Sequence, residues 1–388
     1  MKGKRKRRVR EREAVEVVEA RGCGLNEYEG WSPCVDSSGE KRREVERERE
    51  ELDWDSMFSR YVVKRKPVVI EGHPKDEGWR VTERWTQDYL SKNAGDATVS
   101  VEYRPSLSNG FGLGNRTRMK LKDVLDKIGE GSEQYYLTSQ DTKDGNLFTS
   151  PLTELHEKRD FPLRPEVLKG LVPANISLWM GSSTSKSSSG LHHDYHDNLY
   201  ILLSGSKTFT IFSPKYTVQM RTFGAIERVH RNGRINYRGR ETHADGSTTQ
   251  DRCRAEIKQK VFEAERELLQ LEDEGCQDSG RLEAAEEKLQ EALDLELSLL
   301  EEEEEEEEED MGKDKSAEQD AARSSHPDNF SRLSKEEQEK LKTECGALEI
   351  NLNAGDMLYL PCGWFHNVSS ANTTSNYHLA FNYWFYRK

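Results

Sequence analysis

Strand-forming sequence stops at Pro214 and resumes at Leu348, and this interruption decides what the chain can fold into. Before it, Pro67-Val68-Val69-Ile70 reads as a buried strand, and residues 99–103 alternate apolar and polar as a half-buried strand does. Tyr135-Tyr136-Leu137 and residues 176–180 are further strand-like runs. Residues 198–203 and 207–212 flank Ser204-Gly205-Ser206, which has the composition of a hairpin turn. After the interruption, residues 348–352 alternate, Gly355-Asp356 turns, residues 357–360 are apolar, and residues 377–385 form a closing strand. A connection of about 130 residues is unusual inside a compact domain. Residues 217–345 are therefore read as an insertion, and 52–213 with 346–388 as one core. Strands dominate that core, which indicates an antiparallel sandwich or barrel.

The insertion has its own pattern. Ile257, Val261, Ala264, Leu268 and Leu271 recur at helical spacing, and so do Leu282, Ala285, Leu289 and Ala292 after a break at 275–280. Two helices folded back as an antiparallel hairpin fit this pattern. Nine glutamates at 301–309 and Asp310 follow, and this run supplies most of the net charge of −14. Overall acidity therefore says little about partners. Ser334 and Glu337 form a capping box for a short helix ending near Lys342. Hairpin and acidic run read as solvated appendages, with a role in holding a basic partner left open.

Residues 1–51 are charged, poor in apolar side chains and expected to be mostly unstructured. The basic block from Lys2 to Arg12 suits a nuclear import signal, a nucleic-acid contact or a solvated tail. No run of 18 apolar residues exists, so no membrane span is expected, and the basic start argues against a secretory signal. Six scattered cysteines without a C-x-x-C pair give no recognisable zinc finger and no disulfide framework. Cytoplasm or nucleus fits this usage.

The chemistry concentrates in Ser189-Gly190-Leu191-His192-His193-Asp194-Tyr195-His196-Asp197-Asn198-Leu199. On a strand, residues two apart share a face, so His192 and Asp194 can reach one ion. Two histidines and a carboxylate on one face of an octahedron leave three positions open, the arrangement of non-haem Fe(II) oxygenases. Alone, H-x-D is a weak signal, and Asp194 with His196 is an alternative pair. A third ligand is available in His366, which follows Gly355-Asp356-Met357-Leu358-Tyr359-Leu360-Pro361-Cys362-Gly363-Trp364-Phe365.

These two stretches closely resemble the JmjC oxygenases, in particular the small JmjC hydroxylases. Asp197-Asn198-Leu199, Lys207 fifteen residues after His192, the G-D-x-x-Y-x-P-x-x-W-x-H run at 355–366 and Asn382-Tyr383-Trp384 all match that family's motifs. The offsets to Asn198 and Lys207 select His192 as the first ligand. The resemblance implies a mainly β fold, a double-stranded β-helix (cupin-like jelly roll) with flanking helices, carrying the helical and acidic insertion. It implies Fe(II) held by His192, Asp194 and His366, with 2-oxoglutarate and O2 as co-substrates. Lys207, Ser189 and Tyr136 would meet the distal carboxylate of 2-oxoglutarate, and Asn198 and Asn382 would line its pocket. The chain departs from the pattern in the 174 residues between its metal histidines and in Ser189, where many relatives carry threonine.

His193 and His196 are read as structural or pocket-rim residues, and His378 as a satisfied sheet histidine. Hydroxylation of a protein side chain is the favoured activity. Demethylation of N-methyl-lysine or arginine on a histone, tRNA hydroxylation and a non-catalytic metal-binding cupin scaffold are the alternatives. The expected partner is a protein, a histone or another basic protein included; no motif indicates nucleic acid, and a homodimer is compatible with the resemblance.

Overall fold

Residues 348–353 alternate buried and exposed along their whole length, as a strand does with one face on the core and the other on water. The computed structural model describes residues 25–33, 44–49, 52–105, 114–138, 140, 142, 146–184, 187–239, 242–312 (side chains to 302), 326–373 and 376–386. The strands, in chain order, are β1 (Glu46–Glu48), β2 (Val68–Glu71), β3 (Thr98–Tyr103), β4 (Asn115–Lys120), β5 (Tyr135–Leu137), β6 (Val172–Gly181), β7 (Ser187–Ser188) and β8 (Asp197–Ser204). They continue with β9 (Ser206–Phe212), β10 (Ile226–Val229), β11 (Ile235–Tyr237), β12 (Leu348–Asn353), β13 (Asp356–Leu360), β14 (Phe365–Ala371) and β15 (His378–Tyr386).

A major sheet runs in the order β1-β2-β13-β8-β15-β6-β5-β3-β4, and a minor one in the order β12-β9-β14-β7. Val69, Leu202, Leu358 and Ala380 of the major sheet pack against Phe209, Ile211 and Ile350 of the minor one, so a core lies between the sheets. The other face of the major sheet buries Phe381, Tyr383 and Phe385 against Trp79, Trp85 and Phe161, the aromatic N-terminal part. This is the expected β fold with flanking helices.

The expected hairpin at 204–206 does not form. β8 pairs with β13 and β15, whereas β9 pairs with β12 and β14. The chain turns a corner at Gly205, with φ of +84°, and passes from one sheet to the other. A Cβ there would stand 2.6 Å from the Cβ of His378, so only glycine fits the corner. Composition marks a turn but not which strands it joins.

Two pieces of the region expected to be unstructured lie on the core. β1 adds to β2 in parallel, and Trp31 stacks on Trp364 at 5.9 Å. Backbone pairing and a single indole place them, which charged composition conceals. The block from Lys2 to Arg12 lies outside the described residues. In the insertion, the helices span Thr249–Asp273 and Ser279–Gly312 and bury Val261, Ala264, Leu271, Ala285 and Ala292. Lys258 bridges to Glu296 at 2.9 Å and Lys288 to Glu267 at 2.5 Å. The Ser334–Glu337 capping box opens a helix at Lys335–Glu344.

Candidate active site

Period-two alternation gathers side chains that are far apart in sequence. β14 turns His366, Val368 and Ser370 inward, β9 turns Lys207 and Phe209, β8 turns Asn198 and Tyr200, and β15 turns Asn382 and Trp384. With Tyr136, Trp179, Ser189, His192 and Asp194 they line one cavity of about 140 Å³. All eight residues singled out from the sequence stand on its wall.

At one end, the ligating atoms of His192, Asp194 and His366 lie within 4.8 Å of one another. The His366 Nε2 is 3.4 Å from one Asp194 oxygen, and the His192 Nε2 is 4.0 Å from the other. His192 does not sit on the regular strand expected from the sequence. It forms an isolated bridge, donating its N–H to the His366 carbonyl at 3.0 Å and accepting the His366 N–H at 2.7 Å. Asp194 already lies in a loop, its carbonyl accepting the Gly363 N–H at 2.9 Å. Each imidazole places Nδ1 3.0 Å from a carbonyl, His192 on Gly190 and His366 on Trp364. A carbonyl only accepts, so Nδ1 carries the proton and Nε2 presents its lone pair toward Asp194. Burial, with His366 beside it, holds the His192 imidazole down to about 4, in its neutral, ligating form. Phe330 lies flat on the outer face of His192, centroids 4.7 Å apart and planes 9° from parallel.

The other end holds Lys207, 2% exposed. Its ammonium donates to the Ser370 hydroxyl at 2.5 Å and lies 3.2 Å from Nδ1 of His378. Burial pushes the Lys207 ammonium down to about 7, and no carboxylate stands within ion-pair distance of it among the described residues. Burial and the adjacent Lys207 hold His378 well below the usual histidine range, so its ring accepts from the ammonium. The Asn382 Nδ2 donates to the Asn198 side-chain Oδ1 at 2.9 Å. The Asn382 Oδ1 and the Trp179 Nε1 are buried without hydrogen-bond partners among the described residues. A buried cation, a hydroxyl and orphaned polar atoms without an anion make a cradle for an anionic ligand. The donor set at the first end, two imidazole Nε2 atoms and one carboxylate, fits a divalent transition metal.

Ser189 lines the cavity, but its hydroxyl engages the backbone, donating to the Gly190 carbonyl and accepting the Val368 N–H, both at 3.0 Å. The hydroxyl beside Lys207 is that of Ser370. Sequence reasoning missed Ser370 and took His378 for an ordinary sheet residue; their inward parity on β14 and β15 was the available signal. It also missed Arg65, which grips Asp197 with both guanidinium nitrogens in a buried pair. Asp197 further accepts from Tyr359 at 2.8 Å and the Cys362 N–H at 2.9 Å, which ties the start of β8 to the turn leading into His366. His193 is buried against Tyr237, ring nitrogen to hydroxyl 2.7 Å, and is structural. His196 packs edge-on against Tyr386 and takes no part in the triad.

A Cupin-like domain model matches residues 54–388. The chain is 31% identical to JmjC domain-containing protein 4 of Schizosaccharomyces pombe, over 93% of this chain and 88% of that protein. Shorter matches reach the Bifunctional peptidase and (3S)-lysyl hydroxylase JMJD7 of Homo sapiens, at 26% identity over 41% of this chain and 51% of that protein. The tRNA wybutosine-synthesizing protein 5 of Homo sapiens matches at 29% over 39% of this chain and 50% of its own length. The fold and the converging triad define a cupin-like domain, and the chain belongs to the JmjC family within that class. Members of this family are typically oxygenases using Fe(II) and 2-oxoglutarate. Among the described residues no helix is long and apolar enough to cross a membrane.

Proposed function

We propose that this chain is an Fe(II)- and 2-oxoglutarate-dependent oxygenase that hydroxylates a side chain of a protein substrate. One observation carries the reading: a single cavity has a metal triad at one end and, at the other, a buried lysine with no carboxylate at ion-pair distance among the described residues. A ligand with two acidic ends spans such a cavity. His192, Asp194 and His366 would hold the iron, and Lys207 with Ser370 the far carboxylate. Bound together, iron and 2-oxoglutarate supply the activation of O2 that oxidises a C–H bond. The residues of the chain do the rest. The Gly190 and Trp364 carbonyls fix the imidazole tautomers, and the Arg65–Asp197 pair holds the ligand-bearing segments in register. His378 accepts from the ammonium and aims it, while Phe209, Tyr200 and Trp179 keep water from the charge. A protein rather than a nucleic acid is favoured because one relative is named a lysyl hydroxylase and the cavity wall carries Lys207 as its one lysine or arginine among the described residues.

The test is anaerobic titration of the purified apo-protein with Fe(II) and 2-oxoglutarate, read by visible absorption. A weak charge-transfer band near about 500 nm that needs both additions and is lost in His192→Ala is expected. Absence of the band, with no binding of 2-oxoglutarate, would sink the reading and leave a cupin scaffold. Succinate release with lysine peptides, methylated histone peptides and tRNA then separates hydroxylation, demethylation and tRNA modification.

A further inference from the structure

Of the six large hydrophobic side chains most exposed among the described residues, four lie on the two long helices of the insertion: Leu269, Leu293, Leu295 and Leu297. Leu293, 39% exposed, Leu297, 57% exposed, and Leu300 follow one another at spacings of four and three, so they share one face of the helix Ser279–Gly312. That face lines an open groove of about 400 Å³, together with Phe262 of the helix Thr249–Asp273 and Phe148 and Leu163 of the core. Exposed leucines scattered singly are ordinary, but leucines gathered along one groove mark a site of association.

The charges say what kind of molecule fits. Inside the groove Lys258 already bridges Glu296 at 2.9 Å, and the Arg164 guanidinium lies over the Phe262 ring at 4.7 Å. Burial and the neighbouring Glu296 push the Glu265 carboxyl up, with Arg164 opposing them, so this wall gains nothing from an added anion. The end of the groove at Leu300 is unmatched. Glu301 and Glu302 follow it, exposed and without an ion pair among the described residues, and the helix continues through seven more glutamates and Asp310. The two helices together carry 23 Asp and Glu against seven Lys and Arg, a larger net charge than the −14 of the whole chain. Such a surface repels nucleic acid and anionic membranes and attracts a basic protein.

We propose that this groove takes an amphipathic helix of a protein partner, its apolar stripe packed on Leu293, Leu297 and Phe262 and a cluster of Lys and Arg at the end that faces Glu301. Leu293 to Leu300 covers two helical turns, so an occupant of about three to five turns fills the groove and reaches the acidic end. The proposal is independent of the oxygenase reading.

The test uses the full chain and a fluorescein-labelled amphipathic peptide of about 18 residues, with leucines along one face and lysines clustered at one end. Two control peptides replace the lysines with glutamates or the leucines with serines, and binding is read by anisotropy at low and high salt. The first peptide is expected to bind at least about tenfold more tightly than either control. Leu297→Ser should weaken it about tenfold, the size of one buried leucine, with the melting curve of the wild type because this side chain is exposed. Replacing the nine glutamates at 301–309 with glutamine should weaken it by about as much, at low salt only. No binding, equal binding of the three peptides, or binding indifferent to Leu297→Ser would each overturn the proposal. Two other occupants are checked alongside. Tight, Leu297-dependent binding of a peptide of residues 1–24 would overturn it in favour of the chain's own basic N-terminal block. A dimer seen by sedimentation and lost in Leu297→Ser would overturn it in favour of a second copy of the chain.

Discussion

At one end of the catalytic cavity two of the three ligands, His192 and Asp194, sit on an isolated bridge and a loop with only His366 on a strand, and the Asp194 side chain is 22% exposed. At the other the polar groups sit on paired strands of both sheets, and Lys207 is 2% exposed. The first end is the more open, and its order comes from neighbours: two carbonyls, the Phe330 ring and the Arg65–Asp197 pair. The second is closed, and its exclusion of water makes one ammonium count for more. Precision is thus borrowed at the open end and built in at the closed one.

The largest effects should fall on the open end. Asp194→Ala or His366→Ala should weaken Fe(II) binding by more than about 100-fold, since loss of a mere supporting contact around a metal already costs 10–100-fold. Equilibrium dialysis measures this, and near-normal affinity would remove the residue from the triad. Lys207→Met should leave Fe(II) affinity unchanged and weaken 2-oxoglutarate by about 100-fold, as for a buried charge that loses its partner. Equal loss at both ends would erase the difference between the two ends of the cavity.

The pH response of Lys207 sharpens it. In the unfolded chain a lysine titrates near about 10.4, whereas here burial brings it down to about 7. Between these values the unfolded state binds the extra proton, so this group's contribution to stability of the apo-protein rises with pH across that window. Melting curves of wild type against Lys207→Met from pH 7 to pH 9.5 should converge as the pH rises. Binding of 2-oxoglutarate needs the ammonium, so its affinity should fall by up to about tenfold per pH unit above about 7, with proton uptake visible by calorimetry in different buffers.

Smaller effects belong to supporting contacts. Phe330→Ala should weaken Fe(II) about tenfold, at the low end for such contacts, while Phe330→Tyr keeps the stack and the affinity. Ser370→Ala removes the hydroxyl that holds the Lys207 ammonium and should weaken 2-oxoglutarate by about tenfold, with the metal untouched. A larger loss for Ser370→Ala than for Lys207→Met would reverse the order of charge and hydroxyl at the closed end.

Much of this cavity was legible because motif spacing is a property of local sequence. Asn198, Lys207, His366 and Asn382 stand at offsets shared with the JmjC family, and only around Lys207 does the strand's own alternation mark the inward row. Arg65 and Phe330 were not legible: one meets Asp197 across 132 positions, and the other returns to His192 from the far side of the insertion. The supposed hairpin at Gly205 failed for the same reason, since a glycine permits a positive φ without saying whether the chain folds back or changes sheet. The hairpin and the acidic run were read as appendages, but later in the same insertion Phe330 stacks on His192.

The neck of the insertion has a consequence for assembly. The Phe223 N–H meets the Phe330 carbonyl at 2.8 Å, the Gly224 N–H meets the Asp328 carbonyl at 2.9 Å, and Thr222 bridges Ser331. These contacts zip the two stems together ahead of the β9–β12 junction, where Leu348 faces Ile211. Once zipped, the loop that β12 must close onto β9 shrinks from well over a hundred residues to a few tens. Each halving of loop length recovers about 0.6 kcal/mol of closure entropy, so the saving is roughly 1–2 kcal/mol. The far tip, around Gly275 between the two long helices, is insulated from that closure. Length added or removed there leaves the pairing of the catalytic strands at the same entropic distance, which makes the tip a natural site for grafting a reporter.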